Sequence, residues 1–202
     1  MRLSTSQPLI LLIAASSNGS TLPFNCAPDN DTMTTPSFGT TDAVFTACSQ
    51  ITINSSPSAV YEALLDFPRY PDWNTFVYSV ELPSNVSSAK DVYIGMPMTF
   101  HSSGLLPGIN STSDERITFL EPDVVPPFAA WRYDEGALVG LLMNAEHVTV
   151  LEDLGDGTTN CVSWETYYGA GALLTLTLKA NLQTEFQNEV SDLKGRVEAL
   201  AT

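Results

Sequence analysis

The chain is short of positive charge. Eight Lys and Arg stand against 23 Asp and Glu in 202 residues, a formal net charge of −15. Nucleic acid and anionic membrane surfaces repel such a chain, so neither is expected as a partner. Histidine is scarcer still, with only His101 and His147, and a histidine-based metal centre is not expected. The three cysteines, Cys26, Cys48 and Cys161, show no C-x-x-C spacing. No apolar run is long enough to span a bilayer, so stable membrane insertion is not expected. A phosphate-cradling glycine loop and a nucleophile triad are also missing. What the chain does have is 44% hydrophobic residues, aromatics at 9% of the chain, and enough length to bury a real core or enclose a cavity.

The N-terminus is read apart from the fold. Arg2 precedes the apolar run LILLIAA (Leu9 to Ala15), and the small residues Ser16, Ser17 and Gly19 follow. Residues 1–20 therefore read as a secretory signal peptide, residues 21–42 as a disordered leader, and residues 43–202 as one domain. Asn18, Asn30, Asn54, Asn85 and Asn110 all sit in N-x-[ST] sequons. Asn54, Asn85 and Asn110 fall in predicted loops and are the candidate glycan acceptors of a protein secreted or held in the secretory lumen. In that oxidising setting three cysteines imply one disulfide and one odd thiol, with Cys48 and Cys161 as the candidate pair. Nothing in the sequence speaks to the oligomeric state.

Ordered structure is expected from Ala43. VFTACSQITI alternates and places Phe45, Ala47, Ser49 and Ile51 on one face of a first strand. Ser56 and Pro57 then supply an N-cap and a first helical residue for a helix over Ser58–Phe67, which Pro68 and Pro71 stop. Further strands are expected at Val77–Leu82, Val92–Ser102, Ser113–Glu121, Phe128–Asp134, Ala145–Glu152 and Asn160–Tyr168. From Leu173 to Leu200 there is no proline. Leu178, Leu182, Phe186, Val190, Leu193, Val197 and Leu200 recur at spacings of three and four, the pattern of one long amphipathic helix. The order implies an α+β helix-grip: a curved seven-stranded antiparallel sheet wrapped round a long C-terminal helix, with short helices after strand 1 and an internal cavity.

Three stretches carry a family likeness. ITINSSPSAVYEALLDFPRYPDWNTFV resembles the opening strand, helix and aromatic break of the SRPBCC or START-like superfamily. AEHVTVLEDLGDGTTNCVSWETYYG resembles that group's late hairpin, and the C-terminal helix is similar too. The likeness covers roughly Phe45 to Leu200 and is nearest to the polyketide cyclase/dehydrase and coenzyme Q-binding branch. It implies a hydrophobic small-molecule ligand in the cavity. The expected activity is a cofactor-free cyclisation, dehydration or pericyclic step on a polyketide- or terpenoid-like compound. The rival reading is a carrier of a lipid, sterol or quinone.

The late hairpin holds the candidate chemistry. A turn centred on Asp156 pairs His147 with Glu165, Thr149 with Ser163 and Leu151 with Cys161. His147 is then the candidate general base or donor, and Glu165 the carboxylate that orients it. Trp131, Tyr133 and Tyr167 are expected as pocket wall or donors, Leu182 and Phe186 as helix-side wall, and Thr149 as a further ligand contact. Arg116 and Arg132 are candidates to hold a ligand oxygen if their faces turn inward. His101 is expected on a rim and Trp73 as packing at the aromatic break. The apolar loops GLLPGI (Gly104–Ile109) and GALVGLLM (Gly136–Met143) are candidate lids or packing for the helix end.

Overall fold

A computed structural model of the chain describes residues 22–27, 31–134 and 143–201. Seven strands form one antiparallel sheet in the order β1-β7-β6-β5-β4-β3-β2. They are β1 (Ala43–Ile53), β2 (Val77–Glu81), β3 (Pro97–Leu106), β4 (Ile109–Glu121), β5 (Phe128–Tyr133), β6 (Asn144–Asp153) and β7 (Thr159–Tyr168). Helix α1 (Pro57–Leu65) starts where expected, with the Ser56 hydroxyl accepting from the Ala59 amide. A 3₁₀ segment, Phe67–Asp72, takes up the two prolines that end it. After β7 come a short helix α2 (Ala172–Thr175), a 3₁₀ turn and the long helix α3 (Lys179–Leu200). This is the expected helix-grip.

Helix α3 buries Leu182, Phe186, Val190, Leu193 and Val197 against the concave face of the sheet. There they meet Phe45 and Ala47 of β1, Trp131 of β5, Leu151 of β6 and Cys161 of β7. The aromatic break fills the far corner of this layer. Phe67 and Tyr70 are fully buried, and Trp131 meets the Phe67 ring edge-on at 5.7 Å. Trp73 is partly buried with its ring edge-on to Tyr70 at 4.8 Å, which is the packing role expected of it. Asn74 closes the break, its Oδ1 accepting from the amides of Phe76 and Val77.

Three expectations need correction. Residues 31–42 pack against the convex face of the sheet and are no loose leader. Met33 and Thr35 are buried there, beside Cys48, Val148, Val162 and Trp164. The disulfide joins Cys26 to Cys48, and Cys161 is the free, buried thiol. Cys48 faces the convex layer while Cys161 faces the concave one, so the sheet itself separates the expected pair. GLLPGI is no lid. It is the tip of the β3–β4 hairpin, turning at Pro107-Gly108 with Gly108 at φ 72°, and Asn110 therefore lies at the start of β4. Gly136–Leu142 of the second apolar stretch and the proposed signal peptide lie outside the described residues. Among the described residues no helix is long and apolar enough to cross a membrane.

Candidate functional site

Between the concave face and helix α3 lies a cavity of about 160 Å³. The alternation of β5, β6 and β7 aims Trp131, Tyr133, Ala145, His147, Glu165 and Tyr167 into it. Helix α3 contributes Leu182, Phe186 and Glu189, one turn apart. Glu115 of β4 closes one side. The exposed Thr112, with Ser111, Leu105 and Thr175, marks the end of the cavity nearest solvent.

The late hairpin has the expected register: His147 opposes Glu165, Thr149 opposes Ser163, and Leu151 opposes Cys161. The expected His147–Glu165 partnership does not follow from it. The His147 Nε2 lies 2.8 Å from the Ser163 hydroxyl and 3.4 Å from that of Thr149. Its ring is held between Trp131 at 4.3 Å and Phe186 at 5.0 Å, between ring centres. Burial drives the imidazole down to about 3, so it is neutral throughout the physiological range. A neutral ring fixed by two hydroxyls can donate or accept one hydrogen bond, but it is a poor general base.

Glu165 is tied instead to Tyr167, two residues along the same face, whose hydroxyl donates to its Oε2. The Tyr167 ring is in turn stacked on Phe45 at 4.5 Å. Burial pushes the Glu165 carboxyl up to about 7, the Tyr167 hydrogen bond offsetting part of that rise. Tyr167 itself is held well above its ordinary range, by burial first and then by the negative charge of Glu165. A carboxyl that titrates near neutral pH beside a phenol that stays protonated can take up a proton and return one.

A second carboxyl was missed from the sequence. Glu189 of α3 is 5% exposed, and burial followed by the charge of Glu165 pushes it up to about 8. The Asn74 amide opposes that rise, yet neither Asn74 Nδ2 nor Glu189 Oε2 has a partner within hydrogen-bonding distance. The signal was present: Glu189 lies three residues after Phe186 and four before Leu193, on the stripe the helix buries. Glu115, also missed, shares the inward face of β4 with Ile117.

Other expected site residues lie elsewhere. Arg116 faces outward, pairing with Asp134 at 2.5 Å and with the Gly95 carbonyl at 2.8 Å. Arg132, opposite Arg116 across β4 and β5, is likewise not part of the cavity wall. Thr149 is buried behind His147 and touches the wall only through it. His101 sits on the rim of the sheet, 2.9 Å from Glu81.

Residues 45–198 match a family model described as polyketide cyclase / dehydrase and lipid transport. No protein of curated function matches the chain in sequence. Solved structures share the fold at low identity. The Zhui aromatase/cyclase of a Streptomyces species has a TM-score of 0.61 at 16% identity, over 78% of this chain and 95% of that one. A Thermus thermophilus protein gives 0.60 at 17%, over 78% and 99%. Norcoclaurine synthase of Thalictrum flavum, a point mutant holding a transition-state analogue, gives 0.60 at 11%, over 79% and 98%.

Proposed function

Because the chain belongs to the polyketide cyclase / dehydrase and lipid transport family, we propose that it binds a small ring-forming molecule in the cavity and catalyses a cofactor-free cyclisation–dehydration there. One observation carries this reading: a cavity-facing carboxyl, Glu165, poised near neutral pH and hydrogen-bonded by Tyr167. As carboxylate, Glu165 removes an α-proton from a ketone and leaves an enolate held against the apolar wall of Trp131 and Phe186. The enolate carbon attacks a second carbonyl of the same molecule, closing the ring, and the Tyr167 hydroxyl protonates the new alkoxide. Glu165 then returns its proton to Tyr167 along their hydrogen bond. It takes the remaining α-proton of the hydroxyketone and passes it to the departing hydroxyl, which leaves as water and restores the starting state. His147, neutral and fixed by Ser163, helps shape the wall and is no base.

The simplest probe is 2,6-heptanedione, whose intramolecular aldol condensation gives 3-methylcyclohex-2-enone and one water. Enone formation above buffer, lost in both Glu165→Gln and Tyr167→Phe, is the expected result. Equal rates in wild type and Glu165→Gln would remove Glu165 as the base. A carrier role is the second reading, and size argues against its sterol and quinone forms. A volume of about 160 Å³ suits one ring, whereas pockets for drug-sized ligands run to roughly 300–1,000 Å³.

Passage through the secretory pathway belongs to the same proposal. Asn54, Asn85 and Asn110 are exposed, and Cys26 and Cys48 are bonded, both of which support it. A drop in mass on treatment of the protein from a eukaryotic host with an N-glycosidase is the expected outcome; an unchanged mass would count against it.

A further inference from the structure

Among the described residues the cavity wall holds three carboxyl side chains, Glu115, Glu165 and Glu189, and no lysine or arginine. Lys179 pairs with Asp31 and Arg116 with Asp134, away from these carboxyls. Buried carboxyls normally come with donors or counter-charges, because water is no longer there to solvate them. Here one does not. Glu189 is 5% exposed, lines the cavity, and leaves its Oε2 without a partner. A metal ion does not fit the arrangement, since among the described residues no three His, Cys, Asp or Glu groups converge closely enough to hold one. The remaining wall is aromatic, with Trp131, Tyr133, Tyr167 and Phe186 around the carboxyls. An ammonium group between acids and ring faces gains both charge pairing and cation–π attraction.

From this wall we infer that the cavity's ligand is an organic cation: the ring-forming molecule carries an ammonium group, with the charge at Glu189 and the ring against Tyr133, Tyr167 and Phe186, which leaves Glu165 for the proton transfer proposed above. The inference rests on the cavity being the ligand site, as argued above, and narrows the class of compound. It also sets a pH dependence. The groups facing Glu189 are Tyr70 from the 3₁₀ segment, Cys161 and Glu165 from β7, and Asp192 from its own helix; none of them is a cation. A bound ammonium therefore competes with protons for Glu189, with the Glu165 charge acting from nearby, and binding tightens as pH rises.

The test is calorimetric titration of the full chain with benzylammonium, benzyl alcohol and benzoate, near pH 6 and near pH 8.5. Benzylammonium is expected to bind at least about tenfold more tightly than benzyl alcohol near pH 8.5. The ratio should narrow near pH 6, benzoate should bind weakest, and the ratio should collapse in Glu189→Gln. Where that variant does not fold, Glu165→Gln takes its place. Benzyl alcohol binding as tightly as benzylammonium at both pH values would overturn the cation class while leaving the cavity as a ligand site. Failure of all three compounds to bind would overturn both.

Discussion

Two glutamates of this protein are buried to nearly the same degree on opposite faces of one sheet, and they are treated in opposite ways. Glu146 of β6, fully buried on the convex face, accepts from the Ser37 amide at 2.8 Å, the Ser37 hydroxyl at 2.5 Å and the Thr118 hydroxyl at 2.8 Å. Glu189, on the concave side, has one oxygen with no donor within hydrogen-bonding distance. A satisfied buried carboxylate pins structure together; an unsatisfied one is a cost that folding alone does not explain. The convex face is thus built for closure and the concave face for a visitor.

The contrast breaks most visibly on the convex face. Glu146→Ala strands three donors, two from Ser37 that hold residues 31–42 to the sheet and one from Thr118 of β4, and should cost about 4 kcal/mol in urea unfolding. Benzylammonium binding by whatever protein remains folded should survive. Replacing Cys26 and Cys48 together by Ser comes next. Their bond closes a loop with a sequence separation of 22, and its removal should cost about 3 kcal/mol, read from the shift in denaturation midpoint. Either loss falling below about 0.5 kcal/mol would mean that the N-terminal arm is not part of the folding unit.

The two faces were also unequally legible in the sequence. The concave face follows from alternation and helix period, which place Trp131, Tyr133, Tyr167, Leu182 and Phe186 in the wall and set the His147–Glu165 register. What the register leaves open is which neighbour a side chain bonds, and His147 chose Ser163. The convex face was hidden because its cover is polar. Residues 31–42 are rich in Thr, Ser, Pro and Asp, a composition that normally stays mobile. Here Thr35 and Ser37 are ligands for buried groups, Tyr168 and Glu146, that no local pattern announces. The hint was in β6 and β7, which are buried on both faces and so require a second layer.

A pH titration of stability sharpens the comparison further, because the concave groups titrate. Glu165 and Glu189 are raised above their ordinary 4.5, so their contribution is full below that value and is lost as pH rises through about 7 and 8. His147 is depressed below its ordinary 6.5, so its contribution is present above 6.5 and is lost as pH falls toward about 3. Between 4.5 and 6.5 two carboxyls oppose one imidazole and prevail. Asp91, Asp156 and Glu198, held low by hydrogen bonds, reinforce the loss on the acid side. The unliganded protein should therefore be most stable near about pH 5 and weaken steadily toward pH 8.5. A thermal-shift series with its maximum at pH 7 or above would contradict these ionisations.

A pair of isosteric variants separates the two glutamates most cleanly. Glu189→Gln keeps the shape of the side chain and removes the charge that the cavity leaves uncompensated. Near pH 8.5, where wild-type Glu189 is largely ionised, the variant should be more stable by several kcal/mol, the linkage consequence of a carboxyl raised from 4.5 to about 8. Near pH 5 the native carboxyl is already neutral, and the two proteins should unfold together. Glu146→Gln should behave in the opposite sense. An amide presents one acceptor oxygen and two donors where Ser37 and Thr118 offer donors, so it should lose stability near pH 8.5 and near pH 5 alike. Stabilisation of both variants at high pH would mean that overall negative charge, and not the orphaned oxygen of Glu189, sets the response. Only a gain confined to position 189 and to alkaline pH marks that oxygen as one kept unsatisfied for a ligand.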